Sequence, residues 1–363
     1  MAFLARFPLS SFCIVSSKSL VIPLNPLTPI RRVVRTFSVS ASSSVPPTIT
    51  DKAEDNSPSS SVTLKSTSTE ITPLVTATTT AVSKRWKPIC LYYTQEKCTM
   101  MDDPLHLEKF THDLSSGLQV NVADLENVRA QNLDYLLVLD LEGKVEILEF
   151  PVIIIDTKTL EFVDFFHRFV RPTKMSEKRV EEYIEGKYGK IGVDRYVIKL
   201  YLNSSFCPLT LISSVWHDTA ITFEEVIQQF EIWMTNHHLW EPEHGGALHR
   251  AAFVTCGNWD LKTKVPQQCK DSSMKLPPYF MEWINLKDIY LNFYKRRATG
   301  MVTMMKELNM PLVGKHHLGI DDTKNIARVL QRILVDGALM QITARRSSSS
   351  LEKVEFLFKN RIV

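Results

Sequence analysis

The residues from Tyr135 to Leu139 form a continuous apolar run that stops abruptly at Asp140. Continuous rather than alternating apolar character is typical of a strand that is buried on both faces, as in α/β proteins. In such sheets, functional groups gather at the carboxyl ends of the strands. Asp140 and Glu142 lie two residues apart at this end, so both side chains leave the same face. The run therefore predicts a central strand with an acidic pair at its end.

Further patterns in the sequence predict that this strand is part of an α/β layer fold. Residues 150–156 and 161–170 have the character of two more strands, and residues 251–256 form a second buried strand. Thr222 and Glu225 have the spacing of a capping box at a helix start. Apolar residues recur at helical spacing from Ile326 to Leu334, and Gly337 is suited to end that helix. Strands followed by alternating helices predict a mixed sheet flanked by helices.

The first 84 residues have the composition of a targeting segment and a linker. Residues 1–50 contain ten serines, five cationic residues and no Asp or Glu. Such composition is typical of an organelle transit peptide, and we predict chloroplast targeting with the mitochondrion as the alternative. Residues 51–84 are rich in Ser, Thr and Pro, which predicts a disordered linker.

Charge and cysteine usage narrow the function classes. Without the five cationic residues of the N-terminal segment, the chain has 38 basic and 40 acidic residues. Bulk charge would therefore not hold a nucleic acid, and binding would need local patches or bound metal. The six cysteines have no secreted-framework spacing, which favours a reducing compartment. The sequence contains no apolar run long enough for a membrane span, so we predict no membrane association.

Two later segments add acidic residues and a histidine to the pair at the first strand. Asp260 follows the second buried strand by four residues, and His317 precedes Asp322 with the spacing H-x(4)-D. Each has an ordinary alternative explanation, such as a helix-start acid that interacts with the helix dipole or a surface histidine. Together, four carboxylates and one histidine are what a two-metal phosphodiesterase needs. The sequence therefore predicts a nuclease.

The sequence around these residues resembles the DEDDh 3′-to-5′ exonucleases and, within them, the enhanced-RNAi-type exoribonucleases, as a plant organellar member. The resemblance covers about residues 134–337. The segments that carry it are Val138-Leu139-Asp140-Leu141-Glu142-Gly143, Ile147-Leu148-Glu149-Phe150-Pro151-Val152, Phe169-Val170-Arg171-Pro172, Gly257-Asn258-Trp259-Asp260, Trp283-Ile284-Asn285-Leu286, Asn292-Phe293-Tyr294 and the eleven residues from His317 to Ala327. It implies an RNase H-like fold, with an exonuclease domain at residues 131–345, and hydrolysis of RNA from a free 3′ end.

The resemblance also implies a role for each site residue. Asp140, Glu142 and Asp322 would hold the first Mg²⁺, and Asp140 would bridge to a second. Asp260 would support the second ion through water, and His317 would take the proton from the attacking water. Mn²⁺ would be able to replace Mg²⁺, and no organic cofactor is expected. Asp321 is interpreted as a helix cap rather than a ligand.

The sequence does not determine the substrate. An organellar ribosomal RNA precursor or a small RNA is the favoured class, because the resembling family includes trimmers of ribosomal RNA. The same five residues would also suit a DNA 3′-to-5′ exonuclease. A catalytically weak RNA-binding scaffold is the alternative that is not an enzyme.

The chain departs from the family pattern in several places. The loop after Glu142 is short, and residues 196–214 form an insertion that could be a surface loop or a retained intron. No SAP-type nucleic-acid module precedes the exonuclease domain, and residues 346–363 are predicted to form a C-terminal tail.

Residues 85–130 form an N-terminal extension that contains a series of Cys and His residues. Cys90, Cys98, His106 and His112 follow the spacing C-x(7)-C-x(7)-H-x(5)-H. The start of this stretch looks like a CCCH zinc finger, with Pro104 at the position of the third cysteine. A structural Zn²⁺ is one interpretation. Free thiols and surface histidines are the favoured one, because the spacing fits no standard finger closely.

Overall fold

The computed structural model describes residues 86–186, 196–199, 210–213 and 215–361. The predicted transit peptide (1–50) and linker (51–84) lie outside the described residues. The strands are β1 (Tyr135–Leu139), β2 (Glu149–Asp156), β3 (Phe162–Phe169), β4 (Tyr196–Lys199), β5 (Thr210–Ser213), β6 (Ala251–Thr255), β7 (Glu282–Asn285), β8 (Ala344–Arg346) and β9 (Val354–Phe356). The α-helices are α1 (Leu91–Thr94), α2 (Pro104–Lys109), α3 (Glu177–Ile184), α4 (Val215–Thr219), α5 (Phe223–Asn236), α6 (Val265–Asp271), α7 (Leu286–Tyr294), α8 (Met301–Glu307) and α9 (Gly319–Val335).

A seven-stranded mixed sheet forms the centre of the molecule, with the strand order β3-β2-β1-β6-β7-β8-β9. Strands β1, β6 and β7 are parallel, whereas β2 and β3 on one side and β8 and β9 on the other run antiparallel to their neighbours. Helices pack on both faces. The predicted α/β class, an RNase H-like mixed sheet flanked by helices, is confirmed.

The central strand β1 is buried on both faces, as its continuous apolar sequence predicts. Leu136 and Val138 belong to a hydrophobic cluster that also contains apolar residues of α7, α8 and α9. Leu137 and Leu139 belong to a second cluster, together with apolar residues of α5 and α6. The alternation follows from the pleat of the strand, which directs successive side chains to opposite faces.

The topology places the carboxyl end of β1 next to the amino end of β2, at one end of the strands of the sheet. Strand β2 is antiparallel to β1, and the pair is in register from Leu139 with Val152 to Tyr135 with Asp156. The first residue of β2, Glu149, therefore lies beside the end of β1, where it forms a bridge with Glu142. Motif residues on either side of the β1–β2 connection meet at this end of the sheet.

Helix boundaries follow local capping chemistry. Thr222 and Glu225 form the predicted capping box at the start of α5. Helix α9 ends before Gly337, which has a φ of +93°. The Gly337 N–H donates to the Leu334 carbonyl and the Ala338 N–H donates to the Ile333 carbonyl, as in a Schellman motif. None of the described helices is both long and apolar enough to cross a membrane.

Two segments of the chain contain strands that we did not predict from the sequence. Residues 346–363, which we predicted to form a tail, contain β9, and β9 pairs with β8 at the edge of the main sheet. The insertion at residues 196–214 contains β4 and β5, which pair with each other as a separate two-stranded sheet. The remaining residues of the insertion, 200–209 and 214, lie outside the described residues.

Candidate active site

Three carboxylates converge at the end of β1. Asp140 and Glu142 follow the strand directly, and Asp322 lies in the first turn of α9. One carboxylate oxygen from each lies within 4.8 Å of those of the other two. The cluster consists of oxygen ligands only, which suits a hard cation such as Mg²⁺ or Mn²⁺ rather than zinc or copper. The structure therefore brings together the three residues predicted to hold the first metal ion.

Helix α9 can approach these carboxylates because its first residue is Gly319. A β-carbon at this position would lie 2.8 Å from the Glu149 carboxyl carbon and 3.1 Å from the Glu142 γ-carbon. The first distance is shorter than real β-carbon contacts and the second is tighter than most, so a larger residue would displace the helix or these two acidic side chains. The next residue, Ile320, donates its N–H to Glu149 Oε1 at 2.9 Å. Gly319 thus sets the position of Asp322 relative to the acidic pair.

Replacing Gly319 by Ala should lower the rate of RNA hydrolysis on the order of 10²-fold, since a displacement near 1 Å of a catalytic group has this effect. The measurement is the single-turnover rate on an RNA oligonucleotide at saturating Mg²⁺. Gly300→Ala is the matched control, because a β-carbon there meets no atom within 4 Å. An unchanged rate for folded Gly319→Ala would show that the helix position does not control the site.

A buried acid and a buried histidine support this site, and neither residue was predicted from the sequence to have a role in it. Glu149 and His167 are both fully buried, and His167 Nε2 lies 3.1 Å from Glu149 Oε1. The same oxygen accepts the Ile320 N–H, so Glu149 links β2 and β3 to the start of α9. The available signal was an acid beside a continuous apolar strand, because a buried carboxylate needs partners.

The other ring nitrogen of His167 contacts the N-terminal extension. Thr94 Oγ1 lies 2.7 Å and Gln95 Nε2 3.1 Å from His167 Nδ1. Gln95 also accepts the Phe169 N–H through its side-chain oxygen. The extension thus completes a chain of polar contacts that runs from α1 through His167 and Glu149 to Ile320.

Asp260 lies beside the trio but plays a different part in the structure. It is buried, and its Oδ1 accepts the Leu141 N–H at 3.0 Å, which fixes the backbone between Asp140 and Glu142. Burial raises the pKa of Asp260 to about 6. Asp260 is not among the residues whose ligand atoms cluster within 4.8 Å. Its predicted support of a second metal through water remains a prediction.

His316 and His317 both lie at the exposed side of Asp322. Their rings stack with centroids 3.9 Å apart, and His316 Nδ1 lies 3.1 Å from both Asp322 oxygens. The backbone N–H of His317 donates to Asp322 Oδ2 at 2.8 Å, and His317 has a φ of +72°. The ring of His317 is thus carried on a strained turn directly beside the metal-site carboxylate.

Asp321 holds the loop before α9 rather than capping the helix. The N-cap residue is Leu318, and no side chain caps it. Asp321 instead accepts the Lys315 N–H through Oδ2 at 2.8 Å, and burial raises the pKa of Asp321 to about 6. The prediction that Asp321 caps the helix is therefore wrong, because Asp321 is the third residue of α9. Asp321 is outside the trio, in agreement with its exclusion as a ligand.

The short loop after Glu142 is held in place by buried contacts. Gly143 has a φ of +125°, and a β-carbon there would overlap the Glu146 carbonyl oxygen. The carboxylate of Glu146 accepts the N–H groups of three successive residues, Thr173, Lys174 and Met175. Lys264 Nζ donates to the carbonyls of residues 144 and 145. This loop therefore forms a fixed wall of the site.

A cleft of about 620 Å³ opens beside the carboxylates. The residues that line it come from the loop after β1, α3, the turn after β6 and the loop before α9, and they include Glu142, Lys144, Tyr183, Trp259, His316 and His317. The Trp259 side chain is nearly half exposed. An exposed indole next to a carboxylate cluster can stack on a nucleobase whose phosphate lies at the acids.

Comparisons with known proteins agree with this geometry. A sequence model of the exonuclease family (RNase_T) matches residues 209–330. An uncharacterized exonuclease domain-containing protein of Arabidopsis thaliana is 59% identical over 283 residues, which cover 78% of each chain. The 3′-5′ exoribonuclease 1 of Homo sapiens is 32% identical over 234 residues, which cover 61% of this chain and 58% of the human protein.

This chain belongs to the exonuclease family. The predicted resemblance to exoribonucleases is thereby confirmed, as is the prediction of a hydrolase with an exoribonuclease domain. A dependence on divalent metal follows from the family. Among solved structures, the nuclease domain of 3′hExo, described as a DEDDh family member bound to rAMP, is similar over 59% of this chain and 98% of that chain, with 30% identity and a TM-score of 0.45.

The enzyme shares only part of its length with the human relative, since the match spans less than two thirds of that protein. The family model begins at residue 209 and includes Asp260, His317 and Asp322 but not the first motif. The structure supplies that missing part, because it places Asp140 and Glu142 against Asp322.

Proposed function

We propose that this protein is a Mg²⁺-dependent 3′-to-5′ exoribonuclease that trims the 3′ ends of structured or small RNA in the chloroplast. The observation that carries the proposal is the convergence of Asp140, Glu142 and Asp322 beside His317 at one edge of the sheet. Its relatives named as 3′-5′ exoribonucleases support RNA as the polymer. Ribosomal RNA precursors are the favoured class of substrate, and the DNA exonuclease and the weakly active RNA-binding scaffold are the alternatives.

In this proposal, each group of the chain has a defined task. Divalent cations held by the three carboxylates would stabilise the negative charge that develops on the scissile phosphate. His317 would accept the proton of the attacking water, because its ring lies on the open side of Asp322. Asp260 would keep the acidic pair aligned through the Leu141 N–H. Because both carboxylates flank this amide, a small shift of the backbone would move both.

The cleft would bind the terminal nucleotides. Trp259 offers an aromatic face for stacking, and Lys144, which lines the same cleft, provides a positive charge for a phosphate. Stacking is tolerant of base identity, because every base has a π-face. The site would therefore remove nucleotides with little preference for sequence.

The experiment is incubation of the full chain with 5′-labelled RNA that has a 3′-hydroxyl, with and without Mg²⁺. A ladder that shortens from the 3′ end only in the presence of Mg²⁺ is the expected result. A matched DNA oligonucleotide distinguishes the two polymers, and faster hydrolysis of DNA would replace this proposal with a DNA exonuclease. Intact RNA that is nevertheless bound by the chain would indicate a scaffold.

Chloroplast localisation is supported by the absence of acids among residues 1–50. A fusion of residues 1–84 to a fluorescent protein, expressed in leaf cells, tests it directly. Fluorescence that coincides with chlorophyll is expected. Fluorescence that coincides with a mitochondrial dye would favour the alternative organelle.

Replacing Trp259 by Ala should raise KM for RNA roughly 5- to 150-fold while kcat changes little, because a stacked base contributes about 1–3 kcal/mol of binding. The measurement is steady-state hydrolysis over a range of RNA concentrations. Trp86→Ala, which also removes an exposed indole, is the control and should leave both constants unchanged. A loss in kcat at constant KM would place Trp259 in the chemical step instead.

A further inference from the structure

Four potential metal ligands converge in the N-terminal extension, in a cluster that the nuclease reaction does not use. Ligand atoms of Cys90, Cys98, His106 and His112 all lie within 4.8 Å of one another. Cys90 and His106 are buried, and the other two are half-buried. We propose that these four residues bind one structural Zn²⁺ ion.

The backbone of the extension brings these residues together from both ends of the segment. Residues Ile89 and Thr111 form a parallel bridge, and the Cys90 N–H donates to the Thr111 carbonyl at 3.0 Å. This pairing places Cys90 next to His112. Asp103 caps α2 by accepting the His106 N–H at 2.7 Å, which fixes the first turn that carries His106.

The distances between the ligand atoms agree with a tetrahedral zinc site. Bonds of about 2.3 Å to sulfur and about 2.0 Å to nitrogen place a sulfur and a nitrogen about 3.5 Å apart. Cys98 Sγ lies 3.6 Å from His112 Nε2 and 3.7 Å from His106 Nε2. The two Nε2 atoms are 3.1 Å apart, against about 3.3 Å in an ideal tetrahedron. The Cys90 thiol contacts that of Cys98.

Aromatic neighbours hold both imidazole rings in this orientation. Tyr93 stacks on His112 with ring centroids 4.7 Å apart, and Phe110 stacks on His106 at 5.1 Å. Stacking of this kind fixes the plane of a ring that would otherwise rotate about its terminal bond. The ring orientations are therefore determined by packing, as is usual where a site must be preorganised.

The composition of the cluster selects the metal and its role. Two thiolates and two imidazoles in tetrahedral arrangement favour zinc, whereas Mg²⁺ prefers oxygen ligands. Four protein ligands fill the coordination sphere and leave no position for a water or substrate, so the ion would be structural. The spacing in the sequence had favoured free thiols, but free thiols give no reason for four ligand atoms to face one another.

A structural ion also explains how such a short segment keeps a defined shape. Helices α1 and α2 have four and six residues, and helices of this length have little stability of their own in water. Metal binding contributes folding free energy in small segments of this kind. Because Cys90 directly precedes α1, and Thr94 and Gln95 lie at the other end of this helix, the ion would also hold them against His167.

The test is the metal content of the full chain, purified without chelators and measured by mass spectrometry of the elements. We expect about one zinc per chain, the stoichiometry of a single structural site. Cys98→Ser should lose the zinc, and Cys98→His, which supplies another zinc ligand, should retain it. Cys13→Ser and Asp140→Asn are the controls and should both keep full zinc, so the result is independent of nuclease activity.

A cobalt-substituted chain covers the case in which Cys98→Ser fails to fold. Cobalt bound by the parent chain should show the visible absorption of a tetrahedral site with thiolate ligands. The proposal is overturned if folded chain contains no zinc, if folded Cys98→Ser retains it fully, or if cobalt shows no thiolate bands. A disulfide between Cys90 and Cys98 in chain purified from a reducing cytosol would also overturn it.

Discussion

Replacing Asp140 by Asn should lower the rate of Mg²⁺-dependent RNA hydrolysis by at least about 10³-fold, on the order of the loss when electrostatic stabilisation of a transition state is removed. Asp140 lies at the end of β1 within 4.8 Å of the Glu142 and Asp322 ligand atoms. The substitution keeps the shape of the side chain but removes one negative charge from the cluster. The fold should be unaffected, because the β1 register depends on the apolar residues before Asp140.

The measurement is the single-turnover rate at saturating RNA, together with RNA affinity and thermal unfolding. Asp156→Asn is the matched control, because Asp156 lies at the opposite end of β2 and an amide oxygen can still accept the N–H groups of Lys158 and Thr159. RNA binding by Asp140→Asn should persist. Substantial Mg²⁺-dependent hydrolysis by the purified variant would count against the two-metal assignment.

Replacing His317 by Ala should lower the rate about 10²- to 10⁴-fold, the usual contribution of a positioned acid or base. A base must be neutral to accept a proton, so kcat/KM of the parent should fall when the pH is lowered into the acidic range. The variant should lack this rise with pH. The measurement is kcat/KM for both proteins between about pH 5 and pH 9.

His316→Ala is the matched control for this experiment, because the two rings stack and share the same cleft. His316 contacts Asp322 from the exposed side of the site. A solvent-exposed contact of this kind contributes about 1 kcal/mol or less. Removal of the His316 ring should therefore lower the rate less than about tenfold and should leave the rise with pH in place. If His316→Ala is the more damaging change, or the rise survives in His317→Ala, the assignment of the third motif is in error. Asp321 would then replace Asp322 as the ligand to test.

The central part of the fold was predictable because its signals are local. The apolar run Tyr135–Leu139 predicts a strand buried on both faces, and the structure has β1 there with four of its five residues fully buried. The capping box of α5 and the glycine after α9 are likewise fixed by residues within a few positions. The acidic pair after β1 was predictable for the same reason, because the pleat of a strand directs side chains two residues apart to the same face.

The parts that the sequence did not reveal depend on contacts between distant residues. Glu149 and His167 meet because β2 pairs with β3, and Ile320 joins them from a segment 171 positions beyond Glu149. Strand β9 has three residues with no core-facing pattern, and only its pairing with β8 makes it a strand. No periodicity in the sequence reports such contacts.

The backbone conformation at Asp260 also depends on a contact between residues that are distant in the sequence. An acid at the start of an ordinary helix was the alternative explanation for Asp260, but residues Asp260–Lys264 form a π-helix before α6 begins. Pro266 has no N–H to donate to the Lys262 carbonyl, so a regular helix cannot form at that point. The buried Arg346 guanidinium on β8 donates to the carbonyls of Leu261 and Lys262 instead. A π-helical turn beside a functional residue is a common arrangement.

The N-terminal extension shares its hydrophobic core with the exonuclease domain. Leu114 and Leu118 belong to the cluster that contains β1 and α9 residues, and Gln331 Nε2 donates to the Leu118 and Leu160 carbonyls. Translation from an internal start codon beyond Leu118 would therefore yield a product with an exposed apolar face, which cellular proteases and chaperones recognise.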